Sequence, residues 1–245
     1  YSNPTGHVYT DDTVKRLAHI PTIAGPNFRI MWDNAYAVHD FDDNPPVLAN
    51  IFAHCETAGT KDNVIQFAST SKVTRAGAGI SFLAASQANR DSFIKALGIQ
   101  TIGPDKLNQL RHIRFLKNID GIRDLMRGHA AIVKPKFDRV IQHLNDGLAD
   151  DSIGSWTTPG GGYFLSFEAP EGLATEIVRL SAEAGVKLTP AGATFPYGQD
   201  PKNTNIRIAP TYPSLDEIDQ AMPVFVTAVS LAAVRKLLQS SEKHA

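Results

Sequence analysis

The chain has 245 residues, of which 42% are hydrophobic and 20% charged, and these proportions are ordinary for a soluble globular protein. A formal net charge of -1 argues against a nucleic-acid partner, which usually requires a basic face. The single Cys55 excludes an internal disulfide, and no long uncharged apolar run indicates a membrane span or a secretory signal. We therefore expect a cytoplasmic protein that binds neither nucleic acid nor a membrane. No cluster has metal-ligand spacing, so no metal site is expected.

The first predicted helix follows a turn. Residues 3–6 read Asn-Pro-Thr-Gly, and Asn-Pro is a common turn opener. Thr10 is a candidate N-cap, and the two acids after it suit the positive end of a helix. We predict a helix that runs to about residue 24. Taken alone, Asn3 is a turn residue.

The next elements are a strand and a second helix. Residues 27–32 are mostly apolar and predict a strand that leads into Asp33 and Tyr36. Taken alone, that pair is a turn cap and a half-buried aromatic side chain. Residues 46–58 have apolar side chains at helical spacing, and Cys55 is predicted to lie in the core.

A lysine follows the second predicted strand. Residues 63–68 read as a buried strand, Ser69-Thr70-Ser71-Lys72 come next, and residues 76–79 form a tight turn into a strand over residues 80–84. Ligands bind at the carboxyl edge of open α/β sheets, so we expect Lys72 at such an edge. An exposed lysine is almost wholly protonated at neutral pH and is a poor nucleophile unless its surroundings favour the neutral form or hold it as an imine. A lysine taken alone is most often a solvated surface residue.

In the C-terminal half, the predicted secondary structure changes from helix to short strands. Residues 104–148 read as helix with charged faces, whose many cations, His112 among them, are expected to be mostly solvated. Beyond it, short strands are predicted over residues 155–158, 163–167, 186–189 and 205–210. The glycines at 160–162 indicate a turn or a close backbone approach.

Two helices and one arginine complete the C-terminal half. A helix over residues 171–183 is predicted to end at Gly185, and a capping box at residues 214–217 starts the last helix. Arg207 lies between two isoleucines, so in a strand its guanidinium takes the opposite face from them. That geometry suits a carboxylate ligand, and it is equally compatible with an arginine that has no function.

Four motifs, in order, resemble the fold-type I aminotransferases that use pyridoxal phosphate (PLP). They are the turn at Asn3, the Asp33–Tyr36 pair, Ser69-x-Ser71-Lys72 and Arg207. Four longer strings look like the aspartate aminotransferases of the subgroup often called class Ic; these are residues 33–39, 68–72, 102–112 and 161–164. The resemblance spans nearly the whole chain, which it identifies as the C-terminal portion of a longer polypeptide.

The resemblance implies a fold and a domain division. The fold class is α/β, of the PLP-dependent transferase fold type I. Residues 1–125 would be the remainder of the large, mainly parallel-sheet domain that binds PLP, including the start of the interdomain helix. Residues 126–245 would form a smaller α+β C-terminal domain.

The resemblance also implies residues that hold the cofactor ring. Lys72 would carry PLP as a Schiff base and would transfer the proton of the substrate. Asp33 would keep a proton on the pyridine nitrogen, so that the ring remains an electron sink. Tyr36 and Asn3 would contact the ring oxygen.

Further residues would bind the phosphate and the substrate. Ser69 and Ser71 are the phosphate ligands that the resemblance implies, because hydroxyls and loop amides are common phosphate donors. Relatives carry a phosphate arginine seven or eight positions after the lysine, and here Arg75 is the nearest candidate. Arg207, with Asn3, would bind the substrate.

The implied function is an aminotransferase that moves the amino group of an acidic amino acid to a 2-oxo acid. L-aspartate and 2-oxoglutarate are the expected substrates, and a homodimer is the expected assembly. Two alternatives stay open, because the same motifs serve other PLP proteins. One is a PLP-dependent lyase or decarboxylase, and the other is a non-catalytic effector domain of a transcription regulator.

Overall fold

The computed structural model describes residues 1–150 and 153–242. For residue 242 it describes only the backbone. The chain divides into two compact units. Unit 1 comprises Tyr1–His7, His39–Asp43 and Gly128–Ala245, and unit 2 comprises Val8–Val38 and Asn44–Arg127. That these units correspond to the two domains expected from the resemblance stays a prediction.

Unit 2 contains a three-stranded sheet with helices before, between and after its strands. Its elements in chain order are α1 (Asp11–Ala24), β1 (Ile30–Asp33), α2 (Ile51–Thr57), β2 (Val64–Ser69), β3 (Ser81–Ala85), α3 (Gln87–Gln100) and α4 (Lys106–Leu116). The strand order is β1-β2-β3, with β1 parallel to β2 and β3 antiparallel to β2. Because β1 and β2 are parallel, their carboxyl ends meet at one edge of the sheet.

The helix α1 has the predicted bounds because its cap is local. The hydroxyl of Thr10 accepts a hydrogen bond from the backbone N–H of Thr13, and two acids occupy the first turn. The apolar face of α1 is buried with α2 and the first two strands in a small core. The buried members of that core are Val14, Ala18, Trp32, Ile51, Cys55 and Val64. The prediction that Cys55 lies in the core is confirmed.

Three predictions for unit 2 need correction. The second helix begins at Ile51 rather than at residue 46, because the side chain of Asn50 caps it by accepting from the N–H groups of Phe52 and Ala53. The charged helical region is two helices, because the backbone turns at Lys117, whose φ is 62°. The helix α3 was not predicted at all, since its weak amphipathic pattern buries no side chain.

Unit 1 combines an antiparallel sheet with long helices. Its elements are the greater part of α5 (Ile119–Leu148), then β4 (Ser155–Trp156), β5 (Leu165–Glu168), α6 (Ala174–Glu183), β6 (Asn205–Ile208) and α7 (Leu215–Glu242). The strand order is β4-β5-β6. The predicted stop at Gly185 is confirmed, with φ of 92°. The strand predicted over residues 186–189 is wrong, because this segment is irregular.

The last helix begins as the sequence predicts and is more apolar than expected. Ser214 and Glu217 form the capping box, in which each side chain accepts from the backbone N–H of the other residue. By length and composition, Leu215–Ser241 is apolar enough to cross a membrane, so the expectation that the chain has no such run is wrong. The helix buries Ile218, Met222 and Phe225 in the core of unit 1. One face of α7 therefore packs in the core of unit 1, and 28% of its apolar window is buried.

Candidate active site

The predicted cofactor residues of unit 2 lie where its two parallel strands end. Asp33 is the last residue of β1 and pairs with Phe67 of β2, and Lys72 lies three residues beyond the end of β2. The expected position of Lys72 at the carboxyl edge of the sheet is confirmed. The Lys72 Nζ atom lies 5.1 Å from the centre of the Tyr36 ring. Lys72 and Asp33 are exposed, whereas Tyr36 is buried.

Two hydroxyls stand together beside this lysine. The Oγ atoms of Ser69 and Ser71 are 2.7 Å apart, and the N–H of Ser71 donates to Ser69 Oγ at 3.0 Å. Gly79 passes so close that a Cβ atom on it would lie 2.8 Å from the Ser71 nitrogen, which a real Cβ essentially never does. Arg75 is exposed on the same loop. Two hydroxyls and a guanidinium on one tight loop are a donor set that fits the phosphate of PLP.

A histidine of helix α4, His112, contacts the Lys72 loop, and the sequence alone did not predict this contact. His112 was expected to be solvated among many cations, yet it is only 9% exposed. Its ring nitrogen Nε2 lies 3.0 Å from the hydroxyl oxygen of Thr70 and 2.9 Å from that of Thr74. The sequence carries a signal for this role, because Asn108 and His112 are four residues apart and so share one face of a helix.

Unit 1 holds the predicted substrate arginine on β6. Ile206 and Ile208 are 1% and 5% exposed, so the predicted alternation around Arg207 is confirmed. The Nη1 atom of Arg207 donates to Asn3 Oδ1 at 3.1 Å, and its Cζ atom lies 4.5 Å from the centre of the Phe164 ring. The Nε atom is buried, and no described residue accepts a hydrogen bond from it.

The contact between Arg207 and Asn3 orients both groups. A guanidinium only donates, so the side-chain amide of Asn3 presents its oxygen to Arg207. The amide nitrogen of Asn3 is therefore the donor that remains for a ligand. The buried Nε–H of Arg207 is a second such donor. Leaving a buried N–H group without an acceptor costs free energy, and an anionic ligand would supply the missing acceptor.

The glycine cluster of unit 1 allows a close approach of the chain's first residue. A Cβ atom on Gly162 would lie 2.9 Å from the Cβ of Tyr1, and Gly162 has φ of 86°, which favours glycine. The Tyr1 hydroxyl donates to Asp40 at 2.8 Å. Burial, followed by the hydrogen bond to Asp40, raises the pKa of the Tyr1 phenol, so it remains a neutral donor. The predicted close approach is confirmed, but its partner was not predicted.

Comparison with solved structures gives the class of protein. The chain superposes with a TM-score of 0.92 on the crystal structure of an aspartate transaminase from Corynebacterium glutamicum, with 44% identity over 96% of this chain and 55% of that one. It superposes with a TM-score of 0.77 on an α-aminoadipate aminotransferase from Thermus thermophilus, at 23% identity over 95% of this chain and 57% of that one. The second likeness concerns the fold alone. The fold is thus an α/β fold found in aminotransferases.

Comparison of sequences gives the family. The sequence model described as aspartate amino-transferase matches residues 1–241, and the chain therefore belongs to this family. An aspartate aminotransferase of Corynebacterium glutamicum is 45% identical over 233 residues, which are 95% of this chain and 54% of that protein. The chain thus spans about half the length of these relatives.

Proposed function

We propose that this protein is a PLP-dependent aminotransferase that moves the amino group of an acidic amino acid to a 2-oxo acid. L-aspartate and 2-oxoglutarate are the proposed pair, and Lys72 is the proposed covalent attachment point of the cofactor. Membership of the family supports the reaction class. The single observation that carries the proposal is the position of Lys72, one loop beyond a strand whose parallel neighbour ends in Asp33.

The residues of unit 2 would hold the cofactor. When bound, PLP supplies an aldehyde that condenses with amines and a pyridine ring that takes up electrons. The amine of Lys72 would attach the cofactor and later carry the proton that leaves the substrate. The Asp33 carboxylate would accept a hydrogen bond from the ring nitrogen, and the Tyr36 hydroxyl would donate to the ring oxygen.

The loop between β2 and β3 would bind the phosphate. The adjacent hydroxyls of Ser69 and Ser71 supply two donors, and the guanidinium of Arg75 supplies positive charge. Gly79 permits this arrangement, since a side chain there would displace Ser71. The positive charge of Arg75 would partly neutralise an anion bound on this loop.

The residues of unit 1 would bind the substrate. Arg207 would grip the α-carboxylate through its buried Nε–H edge, which is the geometry that a planar guanidinium offers to a carboxylate. The ring of Phe164 lies against the guanidinium and stabilises it by a cation–π contact. The amide nitrogen of Asn3 would donate to the cofactor ring oxygen or to the substrate.

The test is the visible absorption spectrum of the purified protein with PLP, before and after Lys72→Ala. We expect the wild type to show a visible band that the variant lacks, and the transamination rate to fall by about 10²–10⁴-fold or more, the usual size of a lost proton-transfer group. Lys61→Ala is the matched control, because Lys61 belongs to the same unit but pairs with Glu56 outside the loop. An unchanged band in the Lys72 variant would disprove the assignment.

Product analysis distinguishes the reaction types. With L-aspartate and 2-oxoglutarate, the proposed reaction yields oxaloacetate and glutamate in equal amounts. Release of carbon dioxide or ammonia would instead favour the lyase or decarboxylase alternative, and binding of PLP without turnover would favour an effector domain. We further propose a cytoplasmic homodimer, for which light scattering of the purified protein is the test of assembly.

A further inference from the structure

The loop that carries Lys72 is closed at Thr70. The backbone N–H of Thr70 donates to the carbonyl of Ile80 at 2.9 Å, and the N–H of Ile80 donates to the Thr70 hydroxyl oxygen at 2.8 Å. The Thr70 carbonyl accepts from the N–H groups of Val73 and Thr74, each at 2.9 Å. Thr70 therefore joins the two ends of the loop and also forms the turn in which Lys72 lies.

Helix α4 anchors this closed loop through two side chains. Asn108 donates from its Nδ2 atom to the Ala78 carbonyl at 3.0 Å. One turn later, His112 reaches the hydroxyls of Thr70 and Thr74 with Nε2. These threonines lie two residues before and two residues after Lys72. The imidazole thus holds both sides of the turn that presents the lysine.

The partners of His112 determine its tautomer. Its Nδ1 atom lies 2.9 Å from the Asn108 carbonyl oxygen, and a carbonyl only accepts, so Nδ1 carries a hydrogen. In the neutral ring, Nε2 is then an acceptor. The Thr70 hydroxyl already accepts from Ile80, so its own hydrogen is the one that points to Nε2. The Thr74 hydroxyl donates as well, because Nε2 at 2.9 Å is its nearer acceptor and the Thr70 carbonyl lies farther away, at 3.2 Å.

We propose that His112 is a positioning residue for Lys72, which it holds through Thr70 and Thr74. This proposal rests on the proposed function of Lys72. Both His112 and Thr70 are 9% exposed, so water replaces a lost bond between them poorly. Loss of the acceptor would leave the Thr70 hydroxyl unsatisfied and would let the turn around Lys72 move. Chemistry at a single amine is sensitive to such movement, because reaction depends on a well-aligned geometry.

The experiment compares His112→Leu with His112→Gln. Leucine removes the acceptor, whereas the glutamine side chain can place an oxygen near the position of Nε2. His19→Leu is the matched control, because His19 makes the same ring contact with the carbonyl four residues earlier, at 2.9 Å from Lys15, but lies on α1. All variants are made in the full chain and measured with and without PLP.

The first measurement is hydrogen exchange, which requires no cofactor. In His112→Leu we expect the amides of Thr70, Thr74 and Ile80 to exchange about tenfold faster, which is the size expected for one lost buried hydrogen bond. The His19 variant should leave these amides unchanged. If their exchange in His112→Leu stays within twofold of the wild type, His112 does not hold the loop and the proposal is overturned.

The second measurement asks whether the loop acts on Lys72. In His112→Leu we expect the pH titration of the visible band of bound PLP to shift by about half a unit, and kcat to fall about tenfold with little change in KM. His112→Gln should restore both. Faster exchange together with an unaltered titration and kcat would make His112 merely structural and would overturn the proposal.

A double-mutant cycle with Thr74→Val completes the test. If His112 acts through Thr74, the effects of the two substitutions on kcat will not add. Full additivity would contradict the proposed route. If the visible band of the wild type does not depend on Lys72, the proposed function is refuted. The hydrogen-exchange result would still show whether His112 holds the loop.

Discussion

The two units of this protein are stabilised in different ways. Unit 1 packs one face of each of its three helices and its two longer strands into a large core, with Phe137, Phe167 and Phe225 fully buried. Unit 2 has a much smaller core, whose buried members are Val14, Ala18, Trp32, Ile51, Cys55 and Val64. The site residues predicted in each unit are therefore held in place by different physical means.

The difference is visible in the two principal cations. Arg207 is flanked by two isoleucines that belong to the core of unit 1, so its strand cannot shift without disrupting that core. Lys72 is exposed, and hydrogen bonds at Thr70 order its loop. Apolar packing thus orders the arginine, whereas polar contacts order the lysine.

The largest expected effect comes from the same substitution made in each core. Ile177 of α6 and Ile51 of α2 are 0% and 1% exposed on their helices. We expect Ile177→Ala to lower the free energy of unfolding by about 4 kcal/mol and Ile51→Ala by about 2 kcal/mol, because the sparser core can relax around the cavity. Denaturant unfolding of both variants is the measurement. Equal costs would mean that the two cores are equally rigid.

The next effect concerns the substrate arginine. We expect Arg207→Ala to raise KM for the amino acid about a hundredfold, the size of a lost charged hydrogen-bonded pair. The reason is that its buried Nε–H edge has no other acceptor among the described residues. Arg235→Ala is the control, since Arg235 is an exposed arginine of the same unit that pairs with Glu176. A similar KM in both variants would exclude Arg207 from substrate binding.

A smaller effect is expected at the tight loop of unit 2. Gly79→Ala should weaken PLP binding about tenfold, because the added methyl group displaces the hydroxyl and backbone of Ser71. Gly98→Ala has open space around it in α3 and should stabilise the helix by about 0.5–1 kcal/mol without affecting PLP. Fluorescence titration with PLP measures both. Unchanged affinity in the Gly79 variant would argue against phosphate binding at Ser71.

The smallest effect is a pH dependence confined to unit 1. A hydrogen bond from His143, and then one from Arg139, hold the pKa of Asp219 below its usual value. A lowered pKa in the folded state gives stability that is present above the usual pKa and is lost as the pH falls, here below about pH 4. Thermal unfolding should therefore show a shallower acid decline in Asp219→Asn than in the wild type.

The control for this pH dependence is a carboxylate on the same helix as His143. Asp146→Asn removes an exposed acid of α5 and should leave the acid decline as it is in the wild type. If both variants flatten the curve equally, net charge rather than the contact of Asp219 is responsible.

Local patterns predicted the elements whose ends are made by neighbouring residues. The helix after Thr10, the capping box at Ser214 and the stop at Gly185 all depend on contacts within a few residues, and each is found as predicted. The start of α2 was missed because the apolar pattern begins at residue 47, whereas the side chain of Asn50 caps the helix only at Ile51. Helix α3 was missed because it buries none of its side chains, so no apolar stripe marks it.

The candidate site residues, too, were predicted only where the pattern is local. Its residue types were identified from the sequence, since the strand before Lys72 and the alternation around Arg207 are both local patterns. The imidazole of His112 was not, because its partners lie 38 and 42 residues away in the sequence. The contact of Arg207 with Asn3 spans 204 residues and leaves no trace in any local pattern.

The sequence by itself determined the family, most of the elements and the chemical groups available at the strand ends. Only the tertiary structure decided which of these groups contact one another. The physical reason is that caps and periodicity act over one or two turns, whereas a hydrogen bond between distant residues requires the chain between them to fold first. His112, an unremarkable cation in the sequence, therefore became a buried anchor of the lysine loop once α4 packed beside it.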